Sequence, residues 1–256
     1  MDVSALIDEL RPHLNGALVA TDFDGTLSPL QRDPEDSRSL PGAVEALTAL
    51  AHCGAAVAVI TGRDARTVVR LGELADIPGL VVAGVYGAET WTGGELSTPD
   101  TPEAILALRE RLPQALGDAD PQVWVEDKRL SLVVHARRAA DPDQALADVT
   151  GEVSSLADEL GLEVHPGSGV LELRLPDFDK ASALSSLAEG HNTVLFLGDD
   201  LGDLPAFARV RELRESGLHG YSVGVRSSGA EGIADAVDVL VDDPQAVVDL
   251  LTDLGR

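Results

Sequence analysis

The chain has 256 residues, 44% of them hydrophobic, which suffices for one large domain or two modest ones with packed cores. Its 44 acidic and 19 basic residues give a net charge of −25, which disfavours nucleic acid as a partner because that needs basic stripes. No stretch is apolar for long enough to span a bilayer, and the N-terminus lacks the basic head and apolar core of a signal peptide. The single cysteine, Cys53, allows no intramolecular disulfide, and its place after a predicted helix suggests a buried small hydrophobe. These features favour a cytoplasmic protein without membrane contact.

In chain order, a first helix is expected over 5–10 and a strand over 17–21. Residues 28–40 are rich in Pro and Asp and read as a loop. Val44, Leu47 and Leu50 recur at helical spacing over 41–51, a strand follows over 55–60, a helix over 64–74 and a strand over 80–83. Such alternation argues for a doubly wound parallel sheet, an α/β Rossmann-like core. The pattern then changes to a helix over 101–116, paired strands over 122–126 and 130–136, a helix over 143–160, and strands over 162–165 and 170–175. That αββαββ order reads as an inserted α+β domain, residues 98–175, within a core formed by 1–97 and 176–256. Gly93-Gly94 and Pro176-Asp177 are the expected hinges. The core resumes with a helix from Lys180, a strand over 193–197 and a helix over 204–213. Edge strands are expected over 221–225 and 237–241, and a last helix is capped by Asp243-Pro244.

The strand over 17–21 ends in two carboxylates, Asp22 and Asp24, followed by Gly25 and Thr26. In a parallel α/β sheet, ligands bind at the carboxyl ends of strands. Two acids that close repel unless a cation holds them, and oxygen-only ligation suits Mg²⁺. A carboxylate can also be the nucleophile that takes a phosphoryl group. The plainer reading is a helix cap or turn. Three later segments weigh against it: Thr61-Gly62-Arg63 after the next strand, Asp179-Lys180 at a helix start, and Gly198-Asp199-Asp200 with Asp203 close behind. There are only two lysines against seventeen arginines: Lys180 falls in these motifs, and Lys128 in a further candidate motif, Val125-Glu126-Asp127-Lys128. A compact ammonium is not easily replaced by a guanidinium where a carboxylate and a phosphate must be met in a tight space. An anionic substrate would be repelled at long range by so acidic a chain, so the site itself must be locally positive.

Acid pair, Thr, Lys and acid pair, in that order on strand ends and helix starts, resemble the haloacid dehalogenase-like phosphohydrolases. Within them, Asp22-Phe23-Asp24-Gly25-Thr26-Leu27-Ser28-Pro29-Leu30, Tyr86-Gly87-Ala88-Glu89, Val125-Glu126-Asp127-Lys128 and Glu172-Leu173-Arg174 are similar to the trehalose-6-phosphate phosphatases. The resemblance implies a hydrolase core with a cap domain that sets specificity, and a substrate of trehalose 6-phosphate. It implies Asp22 as nucleophile, Asp24 as general acid and base, and Thr61 and Lys180 on the phosphoryl oxygens. Mg²⁺ would lie among Asp22, Asp24 (through its backbone carbonyl) and Asp199. Asp200 or Asp203 would orient a metal-bound water or Lys180. The family pattern has Thr where Gly202 stands and acids where Leu204 and Pro205 stand, so the residues behind the metal ligands depart from it. Glu126, Lys128 and Glu172 would grip sugar hydroxyls, and Arg63, Tyr86, Gly87 and Glu89 would line the cleft from the core. For Thr61 the plainer role is a helix cap, for Lys180 a surface lysine, and for Glu126 and Lys128 an exposed ion pair. Another sugar-phosphate phosphatase or a phosphosugar mutase fits the same motifs, and the chain would act alone or beside a trehalose-6-phosphate synthase. A phospho-accepting receiver module would be much shorter and would leave the insertion unexplained.

Overall fold

The computed structural model describes residues 1–98, 100–167, 169–176, 178–227 and 231–256, with the backbone alone at 231. The chain divides into two compact units, Met1–Thr98 with Asp179–Arg256, and Pro99–Phe178. In the expected hinge Pro176-Asp177, position 177 lies outside the described residues.

The first unit is built on an eight-stranded sheet. Strands β1 (Leu18–Thr21), β2 (Ala56–Ile60) and β3 (Val81–Gly84) come from its N-terminal part, with a hairpin of β4 (Glu89–Thr92) and β5 (Glu95–Ser97). Its C-terminal part supplies β10 (Thr193–Gly198), β11 (His219–Val225) and β12 (Val239–Val241), and the spatial order is β12-β11-β10-β1-β2-β3-β4-β5. The six strands from β12 to β3 are parallel, and β4 and β5 are antiparallel. Every residue of the central β1 and β10 is buried, as continuous apolar runs in a two-faced sheet require. Side chains alternate between two cores. Val19, Val57 and Val59 face helices α1 (Val3–Leu10), α2 (Ala43–His52), α3 (Ala65–Gly72) and α8 (Pro244–Leu254). Leu18, Ala20, Ala58 and Ile60 face α6 (Lys180–Ala188) and α7 (Leu204–Glu215). Each fully buried leucine in these layers, Leu47 and Leu251 among them, contributes about 1.5–3 kcal/mol of transfer free energy. Aspartates start the helices: Asp64, Asp179 and Asp243 accept from the third backbone N–H onward, those of Thr67, Ser182 and Ala246.

Three expectations change. Gly93 and Gly94, at φ 58° and 90°, form the two-residue turn of the β4–β5 hairpin, where Thr92 pairs with Glu95. They close a hairpin and are not a hinge. Strand β11 lies inside the sheet, between β10 and β12, because β12 adds beyond it. Cys53 is exposed, at the surface end of α2 where Gly54 at φ 87° reverses the chain.

The second unit follows the order α4 (Glu103–Leu116), β6 (Trp124–Asp127), β7 (Ser131–His135), α5 (Pro142–Leu160), β8 (Glu163–Gly167), β9 (Val170–Arg174). Its sheet is wholly antiparallel, in the order β6-β7-β9-β8. Leu132, Val134, Leu171 and Leu173 form one face and pack with Ile105, Leu108, Val149 and Val153 of the two helices into a separate core. Residues of the opposite parity, including Glu126, His135 and Glu172, therefore occupy the other face. Among the described residues no helix is long and apolar enough to cross a membrane.

Candidate active site

Three neighbouring strands of the first unit end together and deliver the motifs. Asp22 follows β1 and continues its ladder, its N–H donating to Leu197 O at 2.8 Å. Asp199 follows β10, and Thr61 follows β2 with its N–H on Ala83 O at 3.0 Å. Lys180 opens α6, capped by Asp179. Its ammonium lies 3.0 Å from Asp22 Oδ2 and 2.7 Å from Asp203 Oδ1. Asp203 Oδ2 accepts from the N–H groups of Asp199 and Asp200 at 2.9 and 3.1 Å. Asp22, Thr61, Lys180, Asp199 and Asp203 are each at most 5% exposed. So Asp203 is the residue that holds Lys180, while Asp200 caps the 3₁₀ turn Leu201–Asp203 from an exposed position.

Close approach explains Gly25. It sits at φ 82°, and a Cβ there would come within 2.1 Å of Asp199 Oδ2. At Gly198 a Cβ would meet Asp203 Cγ at 2.4 Å. Beside Thr61, Val85 and Tyr86 adopt left-handed conformations (φ 48° and 57°), a strain of the kind that accumulates at functional sites. Their N–H groups donate to Arg63 O and Thr61 O at 2.8 and 2.9 Å, so the strained turn fixes the Thr61–Arg63 segment. Gly87 lies against α6, where a Cβ would meet Ala183 Cβ at 2.8 Å. Glu89 is buried and accepts from Ala65 N at the start of α3.

Asp24 points elsewhere than the Asp22 cluster's lysine: its carboxylate is gripped by Arg63, Nε to Oδ2 at 2.5 Å and Nη2 to Oδ1 at 2.6 Å. Ser37 joins the same carboxylate at 2.9 Å. Sequence reading missed Ser37, whose only signal was a hydroxyl in an acidic loop. Nothing local told of its reach to Asp24.

Four carboxylates, those of Asp22, Asp199, Asp200 and Asp203, surround one ammonium. Burial pushes the Asp22 carboxyl well above its ordinary range; Lys180 opposes this, and the other three acids add to it. Asp199 is pushed up to about 7, by burial first and then by Asp200 and Asp203. Burial alone would lower the Lys180 ammonium, but Asp22, Asp203 and Asp200 outweigh it, so it stays charged. One cause accounts for all three, an excess of negative charge out of water. Ligand oxygens of Asp22, Asp199 and Asp203 lie within 4.8 Å of one another. Asp199 Oδ2 is buried and has no hydrogen-bond partner among the described residues. An orphaned carboxylate oxygen in an all-oxygen, over-anionic cluster fits a hard divalent cation.

In the second unit Lys128 Nζ lies 3.7 Å from Glu172 Oε1, which also accepts from Ser131 Oγ at 2.8 Å. Glu126 shares that sheet face and meets His135 Nε2 at 2.9 Å. His135 in turn stacks on Trp124 with centroids 3.9 Å apart, so that ring is engaged by its neighbour.

A solved haloacid dehalogenase-like hydrolase from Bacteroides thetaiotaomicron shares this fold, with a TM-score of 0.62 at 18% identity over 92% of this chain and 98% of its own. A family model described as trehalose-phosphatase matches residues 20–239, and the chain belongs to that family. The trehalose-phosphate phosphatase of Mycobacterium leprae is 33% identical over 253 residues, covering 92% of this chain and 56% of that protein. That of Mycobacterium avium is 39% identical over 209 residues, 74% of this chain and 50% of that protein. The chain thus spans about half the length of these relatives. The solved trehalose-6-phosphate phosphatase of Aspergillus fumigatus shares the fold, with a TM-score of 0.76 at 23% identity over 100% of this chain and 97% of that one.

Proposed function

We propose that the chain is a phosphomonoesterase that hydrolyses trehalose 6-phosphate to trehalose and phosphate through an aspartyl-phosphate on Asp22. The observation that carries this reading is the buried Asp22–Lys180–Asp203 bridge at the strand ends. Asp22 would attack phosphorus in line while the bond to the sugar oxygen breaks, and Asp24 would give that oxygen its proton. Asp24 would then take a proton from the water that hydrolyses the aspartyl-phosphate. The Lys180 ammonium favours the Asp22 carboxylate that must attack, and with the Thr61 hydroxyl it would bind phosphoryl oxygens. Asp22 and Asp199, with Asp203 closing the cluster, would hold Mg²⁺, which when bound neutralises the charge of the phosphoryl group.

The substrate rests on the relatives' names and on the second unit's polar face. There the Glu126 and Glu172 carboxylates would accept from sugar hydroxyls and the Lys128 ammonium would donate to them. The test is phosphate release, with product identification, from a panel of sugar phosphates with Mg²⁺. Trehalose 6-phosphate is expected to be preferred and to yield trehalose; a better substrate elsewhere in the panel, or phosphate moved within the sugar, would refute the assignment. Asp22→Asn is expected to abolish turnover and leave the fold intact, and chelation to stop activity until Mg²⁺ is restored. Turnover near the parent rate in that variant, or after exhaustive chelation, would remove the nucleophile or the metal respectively.

A further inference from the structure

We propose that Ser37, acting with Arg63, is the positioning residue for Asp24 and selects the carboxylate oxygen that moves the proton; this rests on the phosphatase reading, though not on the identity of the sugar. In the loop before α2, residues 31–36 and 38 are all exposed, yet Ser37 between them is fully buried. It follows the 3₁₀ turn Pro34–Asp36, whose start is capped by Asp33 accepting from Glu35 N at 3.0 Å. A lone buried hydroxyl in an exposed polar loop is held there by what it bonds. Ser37 Oγ donates to Asp24 Oδ1 and accepts from Arg63 Nη2, both at 2.9 Å. Arg63 closes the ring with its fork on Asp24, and its remaining nitrogen donates to Pro34 O at 2.7 Å. Three chain segments are thereby tied at one carboxylate.

The ring is asymmetric. Among the described residues, Oδ1 receives two donors, Arg63 Nη2 and Ser37 Oγ, and Oδ2 receives one, Arg63 Nε. A carboxylate oxygen has two in-plane acceptor sites, so Oδ1 is filled and Oδ2 keeps one. That free site on Oδ2 carries the proton to the leaving oxygen as the phosphorus–oxygen bond breaks, and takes a proton from the attacking water afterwards. The ion pair is part-buried (18% and 25% exposed) and bidentate, so its first effect is to hold the carboxylate in one orientation. Fixing a general acid within reach of its target has a larger effect, since such catalysis is worth roughly 10²–10⁴-fold and depends on geometry first.

The experiment is a series of para-substituted phenyl phosphates, alike in shape and different in leaving-group basicity. Their kcat/KM reports only the step that forms the aspartyl-phosphate. Ser37→Ala is expected to leave the 4-nitrophenyl ester nearly unaffected and to slow the most basic leaving group by on the order of tenfold, steepening the slope. In an Asp24→Asn background the same change is expected to add nothing. If Ser37→Ala does not fold, Arg63→Lys, which keeps the charge and loses the fork, reads the same slope. Equal loss for every leaving group, no loss at all, or full additivity with Asp24→Asn would overturn the proposal. A parent chain that releases phosphate from no ester would overturn the phosphatase reading beneath it, a result distinct from an active parent whose slope Ser37 does not change.

Discussion

Lys180 is one of two lysines in a chain with seventeen arginines, and it is the buried one, wedged between Asp22 and Asp203. A guanidinium is larger and planar and cannot hold both contacts in that space. Lys180→Arg is therefore expected to lower kcat by about 10²-fold or more with the fold retained, the cost of removing one preorganised charge contact; a steady-state assay within tenfold of the parent would show that charge alone suffices. Asp199 gives a pH prediction. Its carboxyl, raised to about 7 by burial and by Asp200 and Asp203, binds its proton more tightly folded than unfolded. Its stabilising contribution is therefore present at low pH and lost as pH rises from the ordinary carboxylate range through 7. In chelator, the melting temperature is expected to fall between about pH 5 and about pH 8, and Mg²⁺ to reduce the fall while releasing protons on binding. Identical melting curves with and without Mg²⁺ would contradict this.

On the proposed reading, chemistry and recognition would fall to two separate parts of the fold. The β1–β2–β10 strand ends present the acids, Thr61 and the partner of Lys180, whereas the β6–β7–β9 face of the second unit presents Glu126, Lys128 and Glu172. Ser131 and His135 orient Glu172 and Glu126, and on that reading the two carboxylates would meet hydroxyl donors. Alanine at Glu126, Lys128 or Glu172 is expected to cut kcat/KM for trehalose 6-phosphate by on the order of tenfold or more, since a hydrogen bond to a charged group is worth roughly 1.5–3 kcal/mol. The same variants should barely affect a small aryl phosphate. The ratio of the two activities is the informative quantity: proportional loss of both would make these residues structural, and loss of neither would place sugar recognition elsewhere.

At the scale of the whole molecule, electrostatics oppose folding. Surface pairs such as Arg70–Glu35 and Arg226–Asp242 are more than half exposed on both sides and contribute little. They are set against a net charge of −25, whose self-repulsion acts over the whole surface. Repulsion should therefore win, and salt should relieve it. The melting temperature is expected to rise as sodium chloride is raised from about 0.1 M to about 1 M, where the Debye length falls from about 10 Å to about 3 Å. A fall over that range would mean that ion pairs outweigh repulsion. The two units have separate apolar cores, each with its own sheet and helices, so this screening acts on two folded bodies.

Periodicity and turn chemistry act over a few residues, and what depends on them was legible in the sequence alone. This includes the parallel α/β core, the αββαββ insertion, the Asp243-Pro244 helix start and the placing of Asp22, Thr61, Lys180 and Asp199 on strand ends and helix starts. The β4–β5 hairpin was missed because Glu89–Thr92 and Glu95–Ser97 are short and mixed in polarity, and Gly93-Gly94 serves a turn as readily as a linker. Cys53 was misplaced because burial at a helix end depends on what the rest of the chain brings there. Whether Asp200 or Asp203 meets Lys180 was decided by which of them turns inward behind Gly198. Likewise the Asp24–Arg63–Ser37 ring joins residues up to 39 positions apart, and Thr26 meets Asp199 across 173. Such contacts carry no local signature. They exist because the parallel sheet sets β1, β2 and β10 side by side, so that loops far apart in the chain share one end of it.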